Sequence, residues 1–428
     1  MTQKEKNGNL IAIVTMCFIF AMISFVTNMA APFGTIWGYT YNWAGMMGNM
    51  MNFAAYLFMG IPAGKMLVKF GYKKTALIAL AVGVVGLLVQ YLSSIFGADI
   101  HAFDYQGQAV ALNLVIYLLG AFICGFCVCM LNTVVNPMLN ILGGGGNRGN
   151  QFIQIGGTLN SLTGTLTPFL VGVLVGQLTD KTSMSDVAPL LFIGIAVFAI
   201  SFFIISFVTI PEPHKQGSNV KKEKSKHSPL SFRHCVLGVI AIFFYVGIEI
   251  GIPAELNFYI TGMDFEGAAA IGGGLAAAYW LLMMVGRALS SAISGKISTS
   301  TQMTIVSSAA ILFLLVAIFL PESASVTFKG HDIPAKCFFI AVCGICTSIM
   351  WGGIFNLAVE GLGKYTAAAS GIFMTMVVGG GIMPLIQHAI AQSLGAISSY
   401  WLVIAMLAYI LYYSKIGCKN VNKDIPVE

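Results

Sequence analysis

The lysines and arginines of this chain fall almost entirely in every second connection of a ladder of apolar segments. Twelve segments, each of roughly 20 residues, are long enough to cross a bilayer as helices at ~1.5 Å per residue. Their approximate spans are 10–32, 43–64, 74–96, 109–137, 150–176, 188–210, 234–260, 268–294, 302–320, 335–358, 366–392 and 396–413. One set of connections holds Lys4 and Lys6, Lys65 to Lys74, Arg148, the run from Lys215 to Arg233, Lys296, Lys364, and Lys415 to Lys423. The other set holds Lys181, Lys329 and Lys336. Cationic loops are retained in the cytoplasm, so both termini are expected inside. An even number of spans, both ends inside and a basic connection in the middle describe two six-helix halves, the outline of a secondary transporter.

Composition closes off other classes. Apolar residues make up 57% of the chain and charged residues 9%, more apolar surface than a soluble fold can hide. The formal charge of +6 needs no nucleic-acid partner, because basic loops facing an anionic leaflet account for it. The first span is too long for a signal-peptide core and lacks a small-residue cleavage site, so it is expected to remain as a true helix. Cys124 and Cys127 have redox or metal spacing but sit inside an apolar span, where cysteine acts as a small hydrophobe. The run Gly143 to Gly146 lacks the strand and the Lys-Ser/Thr of a nucleotide loop. With no nucleophile constellation and no metal-ligand cluster, neither an enzyme, a cofactor nor a metal is expected.

The sharpest boundary is residues 211–232, polar, lysine-rich and bracketed by prolines. It is read as a cytoplasmic linker between an N-terminal bundle, 1–210, and a C-terminal bundle, 233–428. The halves echo each other. Asn28-Met-Ala-Ala-Pro32 in the first span and Glu249-Ile-Gly-Ile-Pro253 in the seventh each place a polar residue one turn before a proline. The fifth and eleventh spans are both Gly/Thr-rich and carry Pro168 and Pro384. Glycine permits close helix approach and proline frees a carbonyl. Tight packing alone would explain the glycines; the paired placement points to a rocking mechanism.

Several stretches carry a family resemblance: AAYLFMGIPAGKMLVKFGYKK (54–74), NTVVNPMLNILG (132–143), Gly157-Thr-Leu-Asn160-Ser161, Phe244-Tyr-Val-Gly247, Gly286-Arg287, and IFNLAVEGLGKYTAAASGIFMTMVVGGGIMP (354–384). In this order they resemble the fucose/glucose/galactose permease branch of the major facilitator superfamily. The resemblance implies an all-α integral membrane protein, with twelve helices in two pseudo-symmetric six-helix bundles. It also implies a monomeric, proton-coupled importer of a hexose or 6-deoxyhexose in the bacterial inner membrane. Three departures matter. Val68 occupies the acidic position of the superfamily's loop 2–3 signature. Asn28 and Asn132 stand where the fucose permease pattern has carboxylates, and an amide cannot carry a proton through a cycle.

Glu249, in the middle of the seventh span, is the carboxylate able to take over proton coupling, since an intramembrane charge usually marks a pathway. A neutral acid bonded across helices is the plainer account. Sugars need dense hydrogen bonding and an apolar face. Asn28, Asn132, Asn136, Gln154, Asn160, Asn257 and Asn356 are the candidate amides, and Tyr245, Trp280 and Trp351 the candidate aromatics. Interhelical bonding explains some of the amides equally well. Glu360 and Lys364, spaced i,i+4, are read as a gate or cap ion pair. Arg287 is read as snorkelling or as a salt bridge locking the inner gate, and facing the cavity it would suggest an acidic sugar. His388 could titrate or could serve helix packing. Glu255 is placed near the outer mouth, and Trp37 and Trp43 at the interface. Three alternatives to a coupled importer stand: facilitated diffusion of the same sugars, import of an amino or acidic sugar, and export of drugs or metabolites.

Overall fold

The structure, a computed structural model, describes residues 3–41, 43–175, 178, 181–212, 227–328 and 330–427. The side chains of 3–9 and of residues 31, 168, 169, 171, 172 and 269 are not described. Most of the basic connection at 211–232 (residues 213–226), Lys329, and the side chains of Lys4, Lys6 and Pro168 therefore lie outside the described residues.

The chain is a succession of long helices. In order they are α1 (Gln3–Thr40), α2 (Met47–Phe70), α3 (Tyr72–Ile95), a hairpin of β1 (His101–Tyr105) and β2 (Gln108–Ala111), α4 (Leu112–Leu142), α5 (Gly146–Leu174) and α6 (Ala188–Phe207). Then follow α7 (Arg233–Thr261), α8 (Ala268–Ile293), α9 (Thr299–Phe319) and a hairpin of β3 (Ser325–Phe328) and β4 (His331–Pro334). The last are α10 (Lys336–Thr347), α11 (Met350–Val359), α12 (Thr366–Thr375), α13 (Gly379–Leu394) and α14 (Tyr400–Tyr412). Among the described residues, eleven helical stretches are long and apolar enough to cross a membrane, with α10 and α11 counted as one and α12 and α13 as another. The twelfth expected span is α5, 29 residues long but rich in Gly, Thr, Asn and Gln.

The two hairpins stand in equivalent places, after the third span of each half. The first turns at Gln106 (φ 50) and Gly107 (φ 75), the left-handed pair that matches the twist of a two-residue hairpin. Tyr41 holds it down: its hydroxyl accepts from Ala111 N at 3.0 Å, and Trp43 packs edge-on to Tyr105.

The chain divides into two compact units that do not follow the sequence strictly. The first comprises Met1–Leu139, Leu159–Lys224 and Ser370–Thr375; the second comprises Asn140–Thr158, Ser225–Ala369 and Met376–Glu428. The hairpin joining α4 to α5 thus belongs with the second unit, and its amides explain why. Asn140 donates to Asn356 Oδ1 at 2.6 Å and Asn150 to Ser294 Oγ at 3.1 Å. Asn147 Oδ1 accepts from Thr299 N at 3.2 Å, capping the start of α9. In the first unit Gly371 lies against the Gly60 carbonyl, where an added Cβ would sit 2.6 Å from the oxygen, so no larger side chain fits.

The loop between α2 and α3 shows how the chain manages without the acidic residue that Val68 replaces. Glu212, just past α6, accepts from Tyr72 N at 2.8 Å and Lys73 N at 3.0 Å. Its negative charge thereby caps the positive end of α3. Lys73 Nζ in turn donates to the Ser206 carbonyl at 2.7 Å.

Candidate functional site

Each unit holds a polar group inside its spans. The second unit holds the charged one. Glu249 sits midway along α7, one turn before Pro253, which remains inside an unbroken helix. Having no N–H, Pro253 leaves the Glu249 carbonyl without its helical donor. The Glu249 carboxylate accepts from Arg287 Nη2 of α8 at 3.1 Å. Both side chains are largely removed from solvent, 14% and 10% exposed. The rest of the guanidinium is spoken for as well: Nε donates to the Ser348 carbonyl at 3.2 Å and Nη1 to the Gly157 carbonyl at 3.3 Å. Arg287 therefore ties α7 and α8 to the backbone of α5 and of the tenth span. A lone charge here would be costly, and mutual pairing with backbone acceptors is what makes it tolerable.

The Ser348 carbonyl is available because the tenth span breaks. The α-helix stops at Thr347 and resumes at Met350, with no proline in between. Arg287 takes the Ser348 carbonyl, and Gln154 Nε2 donates to the Ile349 carbonyl at 3.0 Å. Side chains inserted into the helical ladder are a known cause of such breaks. The eleventh span breaks too, at Met376–Val378, just before the three glycines of α13.

Around the ion pair stand aromatics. Tyr245, fully buried one turn before Glu249, has its hydroxyl near the carboxylate without an aligned hydrogen bond. Its ring lies 6.3 Å from Trp351. Tyr279 is buried and bonds Thr347 Oγ1 at 2.8 Å. Trp280, beside it, is 37% exposed and packs edge-on to Tyr279, so in this pair it is Tyr279 that belongs to the interior. The sequence offers Tyr279 beside Trp280 with nothing to choose between them, and Ser348 and Gly157 act here through backbone carbonyls, which carry no mark of a site.

The first unit holds the uncharged group. Asn28 Nδ2 donates to the Ser24 carbonyl at 2.8 Å and to Ser24 Oγ at 3.1 Å, both on its own helix. Gly164 of α5 faces it so closely that a Cβ would lie 2.9 Å from Nδ2. Asn160 donates to the Phe20 carbonyl at 2.8 Å, joining α5 to α1. Asn132 donates to Tyr56 Oη at 2.9 Å, and the fully buried Asn136 donates back to the Asn132 carbonyl at 2.9 Å.

The remaining candidates are placed differently. Asn356 is buried in the α4–α5 hairpin joint, donating to Thr299 Oγ1 at 3.2 Å and accepting from Asn140. Gln154 is buried in the same joint, also 3.4 Å from Asn150 Oδ1. Asn257 accepts from Thr261 one turn on, near the end of α7. Glu360 and Lys364 do not share a helix face: α11 ends at Val359 and Glu360 is extended, so i,i+4 spacing does not bring them together. Instead the Glu360 carbonyl bonds His234 at 2.9 Å, and the Lys364 ammonium lies 5.6 Å from the Tyr365 ring centre. Trp37 and Trp43 stack around Tyr41 at the foot of the first hairpin. Cys124 and Cys127 are buried free thiols.

The family model described as the Major Facilitator Superfamily matches residues 11–384. A glucose/galactose transporter of Brucella abortus biovar 1 (strain 9-941) is 28% identical, over 98% of this chain and 96% of its own length. The L-fucose-proton symporter of Escherichia coli (strain K12) is 22% identical, over 93% of this chain and 90% of its own length. A crystal structure of the Escherichia coli fucose:proton symporter matches with a TM-score of 0.79 at 18% identity, covering 96% of this chain and 100% of that one, a likeness that speaks for the fold. With long helices throughout and a family model spanning most of the sequence, the chain belongs to the Major Facilitator Superfamily, a superfamily of membrane transporters.

Proposed function

We propose that the chain imports a sugar of the hexose or 6-deoxyhexose class by alternating access, driven by protons that Glu249 carries. The substrate class is supported by the relatives, a glucose/galactose transporter and an L-fucose-proton symporter. The observation that carries the coupling is the Glu249–Arg287 ion pair at 3.1 Å inside the spans. An ionised carboxylate holds the guanidinium, and a protonated one loosens it. Arg287 in turn grips the Ser348 and Gly157 carbonyls, so a proton arriving at Glu249 is felt in the backbone of two further spans. That is a coupling free energy with a physical carrier.

For the sugar, Tyr245 and Trp351 supply the apolar face. Asn28 and Asn160 spend N–H groups on the protein and leave side-chain oxygens for hydroxyl groups, while Asn132 donates to Tyr56 and accepts from Asn136 at 3.5 Å, so it meets the sugar only by exchanging a bond. Asn257 serves near the end of α7, and Trp280 from the middle of α8. Asn136, Gln154 and Asn356 are drawn into helix packing and act on the substrate through it. The halves are 1–210 and 233–428 with a linker at 211–232. The protein works as a monomer in the bacterial inner membrane, and its basic connections support cytoplasmic termini. Because Arg287 is engaged by Glu249 and two carbonyls, an uncharged sugar is favoured over an acidic one. A second reading, uniport, draws on Asn28 and Asn132 being amides, with Glu249 then purely structural.

Uptake of radiolabelled sugars into proteoliposomes, with and without an inward proton gradient, decides between the two. Concentrative uptake that Glu249→Gln abolishes, while the variant still exchanges sugar, supports symport. Equal, non-concentrative uptake in all conditions would falsify the coupling.

A further inference from the structure

The hairpins after α3 and after α9 lie on the side of the chain opposite its basic connections, and they are built to one pattern. Residues directly opposite each other across an antiparallel pair share a face, and the face alternates along each strand. In the first hairpin Phe103 stands opposite Val110, and Tyr105 opposite Gln108. Val110 is fully buried at the foot, while Phe103 and Tyr105, 43% and 48% exposed, carry the same face outward. Asp104 points the other way. An irregularity in the pairing between His101 and Phe103 lets His101 meet Asp104 on that side, Nε2 to Oδ1 at 3.1 Å. The second hairpin repeats the arrangement. Val326 stands opposite Ile333, and Phe328 opposite His331. Ile333 is fully buried, and Val326 and Phe328 are 46% and 38% exposed. On the other face Thr327 Oγ1 donates to Asp332 Oδ1 at 2.7 Å. Each hairpin thus pairs its polar groups on one face and leaves apolar ones uncovered on the other.

The uncovered faces continue the outer surface of the spans. α3 ends at Ile95 with Phe96 after it, and α9 ends at Phe319, all three exposed. In a membrane transporter such residues meet lipid, and rings with an apolar body collect where the span reaches the headgroups. A two-stranded hairpin is marginal by itself in water, yet both of these are fixed at the root. Leu112 N donates to the Ile100 carbonyl and Ala335 N to the Ala324 carbonyl, each at 2.8 Å. Tyr41 braces the first hairpin, and Phe265 stacks on His331 of the second at 4.6 Å. A partner protein, or a second copy of the chain, would need one such patch. The same patch built twice, once in each unit, fits an environment that surrounds the whole molecule.

We propose that both hairpins lay their apolar faces in the headgroup layer of the leaflet opposite the basic connections. Phe103, Tyr105, Val326 and Phe328 dip among the lipids, and Asp104 and Asp332 turn to water. Each unit then carries its own foot in the interface, joined through the hairpin root to the spans on either side of it. The hairpins are an interaction surface for the bilayer and take no part in holding the sugar.

The test uses the full chain in liposomes, with a spin label attached through one introduced thiol at a time; the native cysteines are all buried. Phe103→Cys and Val326→Cys read the apolar faces, and Ala109→Cys and Thr327→Cys the polar ones. The ratio of collisions with oxygen, which concentrates in lipid, to collisions with a water-soluble nickel chelate is expected to be severalfold higher at the Phe103 and Val326 positions than at the other two. Equal ratios on the two faces of either hairpin overturn the proposal. So do labels at Phe103 and Val326 that meet neither reagent, the sign of a covering protein or a second copy. Where a substituted chain does not fold, the unsubstituted one answers. A lipid with a photoactivatable group beside its headgroup is expected to mark the peptides that hold Phe103 and Val326, and marking confined to the spans overturns the proposal.

Discussion

Asn28 and Glu249 occupy the same position in two halves, one turn before a proline in the first span of each, and are satisfied in opposite ways. The Asn28 amide bonds Ser24, four residues back on its own helix. The Glu249 carboxylate reaches another helix for Arg287, and through it holds the backbone of two more. An amide that is content locally makes no demand on a neighbouring helix, and the link between α1 and α5 is left to Asn160 and the Phe20 carbonyl. A carboxylate cannot be content locally in an apolar span, because only an opposite charge or a proton offsets its desolvation. An amide or a carboxylate at this position therefore decides whether the group is satisfied within its own helix or reaches across to another. The same contrast appears in shape: α4 and α5 run unbroken for 31 and 29 residues, while the tenth and eleventh spans each break in the middle.

The contrast breaks most visibly at Glu249→Gln, which should remove gradient-driven accumulation altogether while sparing exchange; proteoliposome uptake measures it. Next comes Arg287→Leu. With Glu249 left unpaired, thermal or denaturant unfolding should register a loss of about 3–5 kcal/mol. Adding Glu249→Gln should recover part of it, a recovery that a double-mutant cycle reads directly. A rise in stability from Arg287→Leu alone would mean that the pair does not hold the spans together. The converse substitution, Asn28→Asp, gives α1 a carboxylate whose nearest groups are Ser24 and Gly164 rather than a cation. It should cost about 2.5–3.5 kcal/mol near neutral pH, and a neutral outcome would show that α1 can recruit a charge partner after all.

Smaller effects sharpen the picture. Asn356→Ala cuts the bonds to Asn140 and Thr299 and should cost about 1 kcal/mol at roughly 0.6 kcal/mol per interhelical bond, seen as a lowered melting temperature. The smallest effect belongs to Glu322, outside the spans. A hydrogen bond from Lys336, 2.9 Å away, holds its carboxyl below the usual range. A depressed value means the contribution is whole above the ordinary carboxylate range and fades as pH falls through the folded value. Glu322→Gln should therefore flatten the acid limb of a melting-temperature profile by less than about 1 kcal/mol, the reach of a pair with one exposed partner.

Much of this was legible in the residues, for identifiable reasons. Span length and the alternation of basic loops are long-range regularities that no local accident imitates, so the ladder of helices could be read off, α5 included despite its polarity. Glu249 was legible because an acid in an apolar span is rare. Its partner was not: Arg287 carries no sign of which way it points, and only the folded chain brings it to α7. The break at Ser348 was invisible for a related reason. Nothing in Thr347-Ser-Ile-Met350 stops a helix, and the donors that meet the carbonyls at the break come from α5 and α8, far away in sequence. Glu360 and Lys364 illustrate the opposite error. Their spacing fits a helix face, but spacing has meaning only where the helix continues, and α11 ends one residue too soon.

The hairpin between α4 and α5 is fastened to the second unit at Asn140, Asn147 and Asn150, by neutral amides and hydroxyls. Attraction between charges tails off gradually with distance, whereas a hydrogen bond between neutral groups is gone within about an ångström of stretch. Such a fastening is mechanically brittle. It resists small displacements stiffly and offers nothing beyond them, and added salt, which weakens charged contacts, leaves its grip unchanged.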